Sequence, residues 1–506
     1  MSSWTSKLTA AVAGGRLLCG AVVATVLVAC GGGGGMPGSQ APSANAAPAG
    51  VSVGAITGFG SVHVNGKKFQ TTSATIHIDG RSAAQNELHV GDVIEVKGHH
   101  DAMNNTDVAE AIEVHSNVIG PVGSIDTLGG KVVVLGQTVV VSALTSFDDA
   151  IVPAALSAIV VGDILRVSGS TATNGDIQAT RIERKPAGTA FRVNGTAAAT
   201  DATLKSLRIN ALTVDFSAAT LMDFPSAGPA DGDLVEAVGT ALGGAGQLLA
   251  TRLERRSGKE LKAEQGGESE LEGLITRFAS ASDFDVDGRP VSTSAATHFE
   301  GGTTADLGLN LRVEVEGAVD AAGVLAATKV EVERASSAMI VAQADAVDAV
   351  AGTVTALGLT ISVNPMTRFE DHSSAKISTF SLADVHTGDW VVVRGAETPA
   401  GSNALLAARF ERRDAQARVL LSGVVKAATA PALTILAVNV ATTPATVFGG
   451  SSGGTDGSGS SGNSGGSVTA ATFFSGLVGG TATIGGTWDG TTLTALSASL
   501  GGPDGH

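Results

Sequence analysis

The sequence predicts an all-β protein built from a repeated unit, and three observations carry that prediction. Hydrophobic residues make up 43% of the 506, yet Tyr is absent and aromatics reach only 4%, so the apolar mass is Val, Ala, Leu and Ile, which suits small β-rich cores. Polarity alternates with a period of two, as in Val62-His63-Val64-Asn65-Gly66 and from Val93 to Val96, which is the signature of half-buried strands. One nonapeptide returns along most of the chain, and a chain this long exceeds what one core organises.

That nonapeptide reads Val90-Gly91-Asp92-Val93-Ile94-Glu95-Val96-Lys97-Gly98 and recurs at 161–169, 231–239 and 387–395. A fourth copy keeps Val313-Glu314-Val315-Glu316-Gly317 with Asn310-Leu311 in place of Gly-Asp, and a sixth, at 478–486, has lost the Asp. Gly-Asp before a strand is turn chemistry: Gly tolerates positive φ, and the Asp carboxylate accepts from nearby backbone N–H groups. A second element follows each time, with Arg181/Glu183, Arg252/Glu254, Lys329/Glu331 and Arg409/Glu411 on one face of a strand. These pairs read as the solvated face of a barrel, with a recurring ligand-binding stripe as the rival reading. A third element is a Thr two residues before Phe, at Thr145/Phe147, Thr297/Phe299, Thr367/Phe369 and Thr446/Phe448.

Asn65-Gly66 and Asp287-Gly288 signal type I′ hairpins, and a short helix is expected before Gly-Asp. About five strands per period of roughly 70 to 90 residues fit a small Greek-key barrel of OB-like kind. The expected units are β-repeats at 51–116, 117–186, 187–258, 268–335, 336–414 and 415–506, with a linker at 259–267 and a Gly/Ser insert at 449–467. A unit this small is marginal alone, so neighbouring units are expected to share interfaces.

The N-terminus carries Lys7 and Arg16, an apolar run from Leu17 to Val28, and then Leu27-Val28-Ala29-Cys30 ahead of Gly31 to Gly35. A charged region, a short apolar region and a small-residue cleavage site make a secretory signal, here 1–29, too short to span a bilayer. The tetrapeptide ending in Cys30 resembles the lipobox of bacterial lipoproteins. The resemblance implies diacylglycerol in thioether linkage at Cys30, a membrane anchor, and a Gly/Pro/Ala tether at 30–50 reaching on the order of 25 Å. Gly31 is not the Asp that retains such proteins at the inner membrane, so the outer membrane is expected. Cys19, the only other cysteine, would leave with the signal, so no intramolecular disulfide is available.

The run from Val53 through Gly54-Ala55-Ile56-Thr57-Gly58-Phe59-Gly60 to Gly66, continued by Val90-Gly91-Asp92 to Gly98, resembles the bacterial domain of unknown function 5666. That family occurs in tandem in exported proteins, and the resemblance implies architecture and location without catalytic residues or cofactors to carry over.

Candidate chemistry is sparse. His99, His100 and Asp101 fall in one hairpin and His115 ends the following strand; these four are candidate metal ligands, although no spacing is a zinc pattern. Asp283, Asp285 and Asp287 imitate a calcium loop but lie on a predicted strand, where alternate side chains face opposite ways and position twelve would be Ser294. Gly462-Asn463-Ser464-Gly465-Gly466 matches a nucleophile elbow inside a tract too rich in Gly and Ser to supply its strand and helix. Removing the signal leaves 30 basic against 48 acidic residues, a formal −18, which repels nucleic acid. The sequence is therefore read as a non-enzymatic cell-envelope lipoprotein that presents β-domains for structural or interaction purposes, possessing no cofactor. The rivals are binding of an envelope polysaccharide, protein or metal and, behind them, a hydrolase; only Trp390 and Trp488 remain for sugar stacking.

Overall fold

Alternating polarity becomes strands throughout the computed structural model, which describes residues 48–127, 129–256, 261–333, 336–399, 401–449 and 468–501. In repeat one the opening strand Gly50–Gly58 pairs antiparallel with Val62–Val64, which pairs with Lys67–Gln70. Lys67–Gln70 lies parallel to the closing strand Thr106–Val114, which pairs antiparallel with Val93–Asp101; that Gly-Asp strand returns to the opening strand. Five strands thus close in the order one, two, three, five, four, the connectivity expected of an OB-like barrel. Repeats two, four and six close through the same set of pairings. In repeats three and five the opening strand is broken in two, at Phe191–Thr196 with Ala198–Asp201 and at Ala338–Gln343 with Ala346–Asp348. Short 3-10 turns at Gln85–Glu87, Leu156–Ala158 and Leu382–Asp384, and a helical turn at Ala470–Phe474, occupy the place expected for a helix before Gly-Asp.

The three recurring sequence elements each have a mechanical task. In the Gly-Asp turn the aspartate Oδ2 accepts the backbone N–H three residues earlier, at His89, Val160, Ala230 and His386, within 2.9–3.0 Å. The glycine stands at φ 86, 97, 90 and 94°, and its N–H reaches back to the opening strand at Ile56, Val122, Ala197 and Ala344. The Thr before Phe bolts a return loop to the closing strand: Thr145, Thr297, Thr367 and Thr446 donate to the carbonyls of Ala179, Ala327, Ala407 and Ala495 at 2.7–2.8 Å. The glycine that ends the nonapeptide sits where the closing strand bulges toward it. At Gly395 a Cβ would overlap the Leu406 carbonyl, and the same collision awaits at Gly98, Gly169, Gly239, Gly317 and Gly486.

Hairpin corners show where composition misleads. Asn65-Gly66 and Asp287-Gly288 take paired positive φ as their residue types invite, but so do Leu135-Gly136 and Leu357-Gly358. Leu135 and Leu357 are buried in the barrel cores, so apolar burial of about 1.5–3 kcal/mol offsets a strained backbone of comparable size.

Repeats associate in pairs, not as a string. The opening strands of two and three pair antiparallel, with Ile119 opposite Arg192, and those of five and six do likewise, with Ile340 opposite Leu421. Each such pair has one continuous apolar core. Repeat one instead pairs with repeat four, in parallel, through Ser52 opposite Glu270. Those two keep separate cores, and Val51 and Val53 of repeat one pack into that of repeat four. The tether and linker end sooner than expected. Ala49 is buried and its N–H donates to Glu264, while Leu261 packs in the core of repeat four. The Glu264 N–H also donates to the Ala49 carbonyl, so the two segments join where the opening strands of repeats one and four pair.

Candidate functional site

The recurring charged positions build the junctions between repeats. The Gly-Asp turn of repeat one lies on the closing strand of repeat two, where Thr180 Oγ1 donates to the Gly91 carbonyl at 2.6 Å and Arg181 Nη1 to that of Val90 at 3.3 Å. Asp92, fully buried, meets Arg166 Nη2 at 2.9 Å, and Arg166 also reaches Glu183 at 2.8 Å and the Ser116 hydroxyl at 2.8 Å. Burial works against ionising Glu183, yet Lys185 and Arg166 hold its carboxyl at about 2. Repeat three closes this junction through Arg192, which donates to the Asp79 carbonyl at 2.9 Å and pairs with Glu236 at 2.5 Å.

A second junction joins repeats two and five. Arg409 donates to Glu370 at 2.9 Å and to the Thr145 carbonyl at 2.7 Å, and the Ser146 hydroxyl donates to the same Glu370 at 2.6 Å. Burial opposes the charge on Glu370, but Arg409 and His372 keep its carboxyl at about 2. Glu411, also fully buried, is held well below the ordinary carboxylate range by Arg409, Arg413 and Arg394 despite desolvation. Arg368 of this repeat extends to Glu272 of repeat four at 3.4 Å, and Glu272 accepts the Ala55 N–H of repeat one at 2.8 Å. The expectation of a solvated Arg/Glu face therefore fails. Arg181, Arg409 and Glu411 are buried, because in repeats two and five a neighbouring repeat covers the barrel wall that an isolated unit would expose to water, while the pairs of repeats three and four stay partly exposed.

A cleft of about 270 Å³ lies between repeats one and four. Val51, Phe69 and Gly98 contribute to its lining, and Lys67, His99, His100, Asp107, Glu268 and Glu270 supply charge. Lys67 bridges the repeats by pairing with Glu270 at 2.5 Å, and the Ser52 hydroxyl donates to the other Glu270 oxygen at 2.9 Å. His99 and His100 line this cleft, but each has its own carboxylate: His99 meets Glu110 at 3.0 Å and His100 meets Asp107 at 2.9 Å. Asp101 turns away to accept the backbone N–H of Met103 at 2.9 Å. His115 stands against Arg256 of repeat three at 3.0 Å, and burial together with that guanidinium pushes its pKa down. The four candidate ligands are thus divided among three settings, and no group of three metal-ligating side chains converges among the described residues. Asp283 and Asp285 both bind Arg277, whereas Asp287 accepts the Leu274 N–H, as expected for a strand and its hairpin. Cys30 and Ser464 lie outside the described residues.

Sequence reasoning missed the junctions as sites. The available signal was the alternation of charge on a strand whose opposite face is apolar, but that pattern is the same whether water or another repeat covers it.

No curated protein matches the chain. The family model described as a domain of unknown function, DUF5666, matches at residues 52–113, 119–183, 190–254, 272–331 and 343–411. Those five segments are repeats one to five; the sixth barrel falls outside the match, in keeping with its lost Asp and uncharged closing strand. Since the matches span well over half of the chain and coincide with the barrels, the protein belongs to the DUF5666 family, as a tandem array of its domains.

Proposed function

We propose that the chain is a non-enzymatic scaffold of the bacterial cell envelope, lipid-anchored at Cys30 after removal of residues 1–29 and held at the outer membrane. The observation that supports this reading is the use of the repeated charged faces. The buried charges Arg166, Asp92, Glu272, Glu370 and Arg409 are spent on neighbouring repeats. An array of barrels joined by strand pairing and buried ion pairs fits a structural or adaptor task, with an envelope protein or polysaccharide as partner, while the net negative charge disfavours nucleic acid.

The anchor is tested by labelling cells that express the full chain with a palmitate analogue and fractionating their membranes. Wild type is expected to be labelled and to sediment with the outer membrane, and Cys30→Ala to lose both. Labelling and membrane association that survive Cys30→Ala overturn the lipoprotein reading.

A further inference from the structure

The docked Gly-Asp turn of repeat one has a close copy in repeat two that none of the described residues covers. Both turns carry the same three bonds: aspartate to the N–H three residues back, aspartate N–H to that residue's carbonyl, and glycine N–H to the opening strand. Gly91 is pressed so tightly on Thr180, Arg181 and Ser146 that a Cβ would not fit, whereas Gly162 has open space around it among the described residues. The side chains differ in kind. Repeat two carries Val160 and Val161 at 61% and 65% exposure. Arg184 donates to the carbonyls of Ala150 and Ala158 and pairs with Asp163 at 2.9 Å. Asp163 is thereby satisfied within its own repeat, unlike Asp92, which needs Arg166 of its receptor. The result is an exposed apolar knob that requires no counter-charge.

A matching receptor on repeat three is uncovered among the described residues. Strand register places Thr251, Arg252 and Thr220 where repeat two has Thr180, Arg181 and Ser146: Thr220 pairs with Arg252 as Ser146 pairs with Arg181. Thr251 Oγ1 donates to the Val238 carbonyl at 3.2 Å, as Thr180 does to that of Ser168 at 3.1 Å. Thr220 and Thr251 are exposed, and Leu221, Met222 and Leu249 are each about 40% exposed beside them. The equivalent wall of repeat four is ringed by Glu300, Glu316 and Glu331 around Lys329, a poor seat for valines. At the position of Arg166 repeat three has Glu236, already paired with Arg192, so the seat offers no partner for an aspartate and asks for none.

We propose that the Val160–Val161 turn of one chain docks on the Thr251 strand of a second copy, repeating between molecules the contact that repeats one and two make within one. Knob and seat lie on different surfaces, so the contact is head-to-tail and propagates into oligomers instead of closing a two-fold dimer. The like net charge of the copies opposes it, so association strengthens as salt rises.

The full chain carrying Val161→Cys and Thr251→Cys together is expected to give a ladder of covalent multimers under mild oxidation. Each single variant should stay at the level of the parent chain, which controls for Cys19 and Cys30. Val160→Asp with Val161→Asp, placed on exposed positions and verified by circular dichroism, should lose the oligomers seen in sedimentation. No ladder from the double cysteine variant, equal ladders from the single ones, or unchanged sedimentation of the double Asp variant overturns the proposal. So does an apolar knob that binds anionic or neutral vesicles in wild type while giving no ladder.

Discussion

Repeats four and five share a backbone plan and solve the same wall in opposite ways. In repeat five the outward positions of the Gly-Asp and closing strands are rich in arginine: Arg394 lies opposite Arg409, and Arg368 pairs alongside. Glu370 and Glu411 sit among these cations and stay ionised. In repeat four Glu316 stands at the position of Arg394 and Glu314 two residues before it, with Lys329 and His298 where repeat five has Arg409 and Arg368. Glu314 lies directly opposite Glu272 on one side and Glu331 on the other. Burial first, and then the Glu331 charge, push the Glu314 carboxyl up to about 9 against the pull of Lys329. The outer walls carry different charge and meet different groups: carbonyls of repeat two face Arg409, whereas the Ala55 N–H of repeat one faces Glu272.

The comparison breaks hardest at Arg409. Arg409→Ala strands Glu370 and Glu411 without their main counter-charge, and a loss of about 3–5 kcal/mol is expected in denaturant unfolding. A loss below about 1 kcal/mol would mean that the junction between repeats two and five carries little of the stability.

A pH series separates the two walls. The folded value for Glu314 lies above its unfolded one, so the folded chain holds that proton more tightly and stability falls as pH climbs from about 4.5 toward 9. Glu370 is shifted the other way: its contribution is present above about 4.5 and is lost as pH falls toward 2. Glu314→Gln should therefore stabilise the chain at pH 8 by on the order of 1–3 kcal/mol and flatten the alkaline limb, leaving the acid limb in place. Thermal melts from pH 3 to 9 read both limbs, and an unchanged alkaline limb would contradict the carboxylate account of repeat four.

The smallest effect concerns what the two repeats have in common. Thr297→Val and Thr367→Val each remove the bolt between return loop and closing strand, and each should cost about 1 kcal/mol. Equal losses would support a shared frame with different walls. A loss in repeat five alone would place the bolt among the features that depend on the junction.

Much of this frame was legible in residues met one at a time. Asp92 capping His89, Gly91 at positive φ and the Asn65-Gly66 corner follow from local chemistry, and their recurrence marks the chain as a repeated β-unit. Leu135-Gly136 and Leu357-Gly358 were not legible as corners, because the strain there is compensated by core contacts distant in sequence. The histidines near 100 read as one cluster because a list of positions hides that His99 and His100 are each taken up by a carboxylate of the closing strand, Glu110 and Asp107.

By itself the sequence determined an all-β chain of similar barrels, their turns and the glycines of their bulges, because those depend on dihedral preferences and on contacts within about 80 residues. Tertiary structure alone decided that repeat one pairs with repeat four, more than 200 residues away, while two joins three and five joins six. An outward strand face reads as polar whether it meets water or another polar wall. Only the complementary carboxylate, guanidinium or backbone group brought opposite it determines whether that face is surface or junction.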